Sequence, residues 1–213
     1  MDRREFSLQA AGLAGALALS SVSGNAAAQI AAPVEGRDYN TLAKPVAVPA
    51  DGRIHVIEFF WYGCPHCFVF EPSLAAWTAR QPVDVAFRRV PVAFDALKET
   101  HQRVFYTWEA LGLVGAMHRA TFERFQTRRQ PIDSLEDMLA FAQDSKIDPA
   151  KVRAAWNSFG VQTRCREARR LVDDYQIDRT PEMAIQGRFT TIGAPARMLE
   201  ATDWLVNRVR ARR

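Results

Sequence analysis

Residues 54–67 read Ile-His-Val-Ile-Glu-Phe-Phe-Trp-Tyr-Gly-Cys-Pro-His-Cys, and this stretch decides how the rest of the chain is read. Ile54 to Trp61 is apolar, β-branched and aromatic with one acid inside it, the composition of a strand covered on both faces. Tyr62-Gly63 ends the strand and Cys64-Pro65 opens a helix. Proline suits the first helical position, where an amide hydrogen would have no partner. Pro72 falls within the same helix and cannot bond to the carbonyl of Phe68, so a kink is expected there. Val83 to Val90 alternates as the next strand. Strand, helix and strand in that order make a parallel unit.

Upstream, Tyr39 to Val48 looks extended, with Pro45 and Pro49 confining it to an edge or irregular strand, and Asp51-Gly52 makes a turn. Downstream, from Asp95 to about Ile177, the apolar period becomes helical and yields five helical segments. Their stripes are Leu97, His101, Val104, Trp108 and Leu111; Met117, Thr121, Phe122 and Phe125; Leu135, Met138, Leu139 and Ala142; Val152, Trp156 and Phe159; and Val161, Cys165, Ala168, Val172 and Tyr175. Glu182–Ile185 and Arg188–Ile192 then form two short strands turned at Gln186-Gly187. Pro195 opens a last helix whose inward face is Met198, Leu199, Thr202, Leu205, Val206 and Val209. The organisation is α/β: residues 29–94 and 178–213 supply the sheet, and residues 95–177 are a helical insertion.

The chain has 213 residues, 48% of them hydrophobic, which suffices for one solid core. Its formal charge of +4 does not point to nucleic acid, because the arginines lie scattered beside acids such as Glu167, Asp173 and Asp174. Only Arg208, Arg210, Arg212 and Arg213 cluster, as a solvated helix end would. Residues 1–28 carry Arg3-Arg4, an apolar stretch from Ala10 to Leu19 and a small-residue site at Ala26-Ala27-Ala28, the pattern of a cleavable export signal. Arg3-Arg4 with Phe6 and Leu8 also resembles a twin-arginine signal. The mature protein is therefore expected outside the cytoplasm.

Export changes how the three cysteines are read. Two of them, Cys64 and Cys67, are separated by two residues, and Cys165 is far away. A bridge closing so small a loop removes little entropy from the unfolded chain, so the pair points to chemistry more than to stapling. Where a strand ends and a helix begins, free amide hydrogens and the helix dipole favour thiolate over thiol at Cys64. Cys67, one turn deeper, should stay protonated. An imidazolium at His66 would stabilise the thiolate further, hence the reduced form, which makes the disulfide an oxidant. Structural zinc needs four ligands; there is no second cysteine pair, and His55, His101 and His118 show no convergence with the motif, so no metal is expected. No cofactor is expected either, because the Cys64–Cys67 disulfide itself carries the electrons. Cys165 reads as a buried small hydrophobe and His101 as a core histidine.

Glu58-Phe59-Phe60, Cys64-Pro65-His66-Cys67 and Phe70-Glu71, together with Arg179-Thr180-Pro181 before the hairpin, resemble the DsbA family. The resemblance runs from about Tyr39 to the C-terminus. It implies a thioredoxin fold with a helical domain inserted between its βαβ and ββα halves. It also implies a periplasmic protein disulfide oxidoreductase, reoxidised by a quinone-linked membrane partner of the DsbB type. Clients would be folding exported proteins with free cysteines, and the enzyme a monomer. Pro181, expected trans on base frequencies, becomes cis by resemblance, with Thr180 offering its backbone to an extended client. Family oxidases often carry valine where Thr180 stands, and its hydroxyl is expected to moderate the oxidising power. Glu58 is either a partly exposed strand acid or, as in the family, a buried acid exchanging protons with the deeper thiol. Glu71 is a solvated helix acid or an electrostatic tuner. Trp61, Tyr62 and Phe68 are core, or an apolar rim for clients. The competing readings are a disulfide isomerase or reductase, suggested by Thr180, and a chaperone-like module with secondary redox activity.

Overall fold

A computed structural model describes residues 31–212; the expected export signal lies outside the described residues. Strand β2 (Ile54–Phe60) is buried along its whole length, as its apolar run requires. Helix α1 (Pro65–Ala79) follows it, with Cys64 as the extended N-cap and Pro65 in the first turn, and runs through Pro72. Strand β3 (Val85–Pro91) then lies parallel to β2, in a register that sets Glu58 beside Arg89. Together with β1 (Tyr39–Thr41), β4 (Glu182–Ile185) and β5 (Phe189–Thr191), these form one sheet of order β1-β5-β4-β2-β3. Helix α7 (Pro195–Arg210) packs beside α1, tied to it by the Trp77 indole N–H donating to Asp203 at 2.7 Å.

The helical insertion comprises α2 (Ala96–Ala110), α3 (Val114–Gln126), α4 (Leu135–Asp144), α5 (Pro149–Trp156) and α6 (Phe159–Asp174). Side-chain oxygens of Asp95, Ser134, Asp148 and Ser158 accept the free first-turn amides of α2, α4, α5 and α6, which is why each helix begins there. The strand pleat splits the core in two. Ile57 and Phe59 face the insertion with Trp108, Phe122 and Tyr175, whereas Ile54 and Val56 face α1 and α7 with Phe70, Leu74 and Met198.

One sequence expectation is met in its irregular form, and two need correction. The extended stretch Tyr39–Val48 pairs as a strand only over Tyr39–Thr41. Beyond it, Leu42 and Val46 donate singly to Arg188 and Gly187, and Pro45 has no amide hydrogen to continue a ladder. Phe159 does not point inward: α5 stops at Trp156, Ser158 caps a new helix, and Phe159 begins it 76% exposed. Leu97, in the first turn of α2, is also exposed. The hairpin turn is as expected, with Gln186 at φ 51° and Gly187 at φ 65°. Gly187 is needed for space as well, since a Cβ there would fall 1.9 Å from the Val46 carbonyl oxygen.

Candidate active site

Two distant stretches build the site. The first is the β2–α1 junction, which holds Cys64 at the N-terminus of a 15-residue helix and buries Cys67 completely one turn on. The second is the loop before β4, where the Thr180–Pro181 peptide is cis. The antiparallel β2–β4 ladder brings the two together. The Cys64 thiol donates to the Thr180 carbonyl oxygen at 3.4 Å. All three cysteines are free thiols here.

The two thiols of the pair are driven apart electrostatically. Cys64 is held down at about 5, first by the hydrogen bond from the Cys67 thiol, then, against the opposing effect of burial, by the Thr180 side chain and the backbone N–H groups of Cys67 and His66. Cys67 is pushed far above the ordinary thiol range by its own burial, by the bond it gives to Cys64, and by the charges of Cys64 and Glu58. Cys64 is therefore a thiolate at neutral pH with a neutral thiol beneath it. That is the asymmetry an attacked sulfur and a resolving sulfur require.

Two neighbours of Cys64 act on it further. His66 acts on Cys64 through its backbone N–H, and its ring is exposed. The Thr180 side chain lowers the Cys64 pKa, so it stabilises the thiolate and hence the reduced form.

Beneath the pair lies a buried charged cluster. Glu58 is fully buried, with Arg89 Nε 3.0 Å from its Oε2, and Arg89 also donates to Glu71 Oε1 at 2.6 Å. His118 Nε2 lies 3.4 Å from the other Glu71 oxygen, and His118 Nδ1 is 2.9 Å from the Tyr62 hydroxyl. One guanidinium cannot neutralise two buried acids. Burial raises Glu58 to about 8 against the pull of Arg89, with the Glu71 charge adding to the rise. Burial also raises Glu71, but His118 and Arg89 outweigh it and hold that carboxyl below its usual value. Near pH 7 the cluster is thus an Arg89–Glu71 ion pair beside a protonated Glu58.

Glu58 is accordingly the buried acid of the two readings, and Glu71 is not a solvated helix acid. Tyr62 is 1% exposed, so it belongs to the core and not to a rim; Trp61 and Phe68 are half-buried. Cys165 is buried with its thiol pushed up to about 11, as a packing residue would be. Sequence reasoning missed Arg89, His118 and the partners of His101. The Arg88-Arg89 pair within a strand was the available signal for the first. The two histidines do converge on the motif, through Tyr62 and Trp61 respectively.

The DSBA-like thioredoxin domain family matches residues 55–201. The chain is 34% identical over 199 residues to the thiol:disulfide interchange protein DsbA of Pseudomonas aeruginosa, covering 92% of this chain and 94% of that one. It is 37% identical over 180 residues to the DsbA of Azotobacter vinelandii, with 83% and 84% covered. The crystal structure of Pseudomonas aeruginosa DsbA superimposes with a TM-score of 0.79 at 33% identity, over 83% of this chain and 94% of that one. With its thiolate at the helix end, its buried partner thiol and the Thr180–Pro181 loop against the sulfur, this chain belongs to the DsbA family of thiol–disulfide oxidoreductases.

Proposed function

We propose that the enzyme is a disulfide donor acting through Cys64 and Cys67. A client thiolate attacks the Cys64 sulfur of the oxidised enzyme, forming a client–Cys64 disulfide, and Cys67 leaves with the electron pair and takes up a proton. A second client thiolate then attacks the client sulfur of that mixed disulfide. The client departs with a disulfide and Cys64 departs as the thiolate, so two electrons pass from client to enzyme. The observation that carries this reading is the stabilised Cys64 thiolate: whatever stabilises the reduced enzyme drives the transfer forward.

Thr180 would take the client's backbone beside the sulfur, as in strand addition. Glu58 would accept and return the proton of Cys67, and Glu71 would keep Arg89 occupied. The clients are exported proteins still folding with free cysteines, and the place of action is the periplasm, reached by way of residues 1–28. A monomer reoxidised by a quinone-linked membrane protein of the DsbB type completes the cycle.

The deciding experiment is the reduction potential of the pair, by equilibration of the mature protein against glutathione. An oxidising value near the roughly −120 mV familiar for DsbA supports a donor. A value near the roughly −270 mV of thioredoxin would replace the donor with a reductase or isomerase.

A further inference from the structure

Trp61 lies between the end of β2 and Cys64, and it touches the reacting turn twice. Its carbonyl oxygen accepts the Cys64 N–H at 3.0 Å. Its ring lies over the Gly63 α-carbon, where an added Cβ would fall 2.2 Å from Trp61 Cζ2. The ring is in turn fixed from the insertion. Its indole N–H donates to His101 Nδ1 at 2.8 Å, and His101 Nε2 lies 2.8 Å from Asp133 Oδ1.

An indole N–H can only donate, so His101 Nδ1 must be the accepting nitrogen and Nε2 must carry the proton that Asp133 accepts. The neutral imidazole therefore has both nitrogens satisfied in one orientation. The two rings are nearly parallel at 16°, and the edge of Phe125 from α3 closes the far side of His101. The charged groups acting on His101 are Asp133 from the loop before α4 and Asp95 and Lys98 from α2, and the Lys98 ammonium also lies 4.7 Å above the Trp61 ring. His101 is 3% exposed, and that burial disfavours its charged form more than the two acids favour it.

We propose that His101, oriented by Asp133, is a positioning residue for disulfide exchange: it holds the Trp61 indole against Gly63 and so fixes the turn that presents Cys64 to the helix end. The inference rests on exchange at Cys64. A protonated His101 carries N–H on both nitrogens, so it confronts the indole N–H with another donor and opens the hold. The neutral ring is thus the working form.

The test is the Cys64 thiolate titration, followed by absorbance at 240 nm, with the equilibrium constant against glutathione, for the mature protein and four variants. His101→Leu should raise the Cys64 pKa by about one unit and lower that constant about tenfold. His101→Asn, which retains an acceptor near the Nδ1 position, should recover most of the loss. Trp61→Phe keeps a ring but removes the donor, so it should reproduce the His101→Leu shift. The double variant should then show no further change, because both residues act through one bond. Wild-type tryptophan fluorescence should also change as His101 protonates, and His101→Asn should lack that change.

A wild-type titration in His101→Leu, or a His101→Leu shift that persists in full in the Trp61→Phe background, would overturn the proposal. Should His101→Leu not fold, an unshifted Trp61→Phe overturns it alone. Absence of glutathione exchange in the wild type would instead remove the exchange reading itself.

Discussion

Glu58 and Arg89 are register partners on adjacent parallel strands, β2 and the edge strand β3, and their side chains meet at 3.0 Å. The contact does not keep Glu58 ionised, because Arg89 is shared with Glu71 and Glu58 is fully buried. Glu58→Gln should therefore leave the fold intact while slowing formation of the mixed disulfide, the step in which Cys67 leaves and takes up a proton, by at least about tenfold, as loss of a proton carrier does. Stability adds a signed check. A folded value of about 8 lies above the 4.5 of a free carboxyl, so the stabilising contribution of Glu58 is complete below pH 4.5 and is lost as pH rises through 8. Urea unfolding of oxidised wild type and Glu58→Gln across that window should show the difference moving in favour of the variant.

Cys64 behaves in the opposite sense. Its folded value of about 5 lies below the 9.0 of a free thiol, so its contribution to the reduced protein is complete above pH 9 and is lost as pH falls through 5. At pH 7 the gain should be about 2 kcal/mol once partial solvation is allowed for. Reduced wild type should gain on Cys64→Ala by that amount between pH 5 and 7 in chemical denaturation. The same variant should lose all disulfide donation.

Thr180→Val removes a side chain that helps hold the Cys64 thiolate. The variant should titrate at a higher pH and become a weaker oxidant, its potential falling by roughly 20–30 mV, the equivalent of about one hydrogen bond. A rise in potential after glutathione equilibration would refute this assignment and restore the moderating role expected from the sequence.

Gly187→Ala should lower unfolding stability by about 2–4 kcal/mol, as backbone strain and a forced shift of the Val46 carbonyl combine. The hairpin tip is remote from Cys64 in function, so the Cys64 titration of the folded variant should match wild type.

Most of the architecture was legible because long apolar runs and capping residues act locally. Ile54–Trp61 announced a buried strand, and Asp148-Pro149 announced a helix start, each within a few residues. Phe159 was misplaced because the stripe of α5 continues in register across a helix break. Cys64 and Cys67 were readable from spacing, and Thr180 and Pro181 from resemblance. The charged cluster was not readable, because it depends on pairings across distance: Arg89 reaches Glu71 from another element, and His118 comes from the insertion. No local pattern in the sequence marks a strand arginine as the partner of a helix acid.

Cys64 and Thr180 are separated by 116 positions, and β4, which pairs with β2, follows directly after Thr180. A nascent chain therefore displays both thiols long before the loop that completes their environment has been made. At ordinary elongation rates the interval is on the order of ten seconds. Throughout it, Cys64 lacks the Thr180 loop that lies against it in the folded protein. The site is thus completed only when synthesis is almost finished, because its second half is the last part of the sheet to be made.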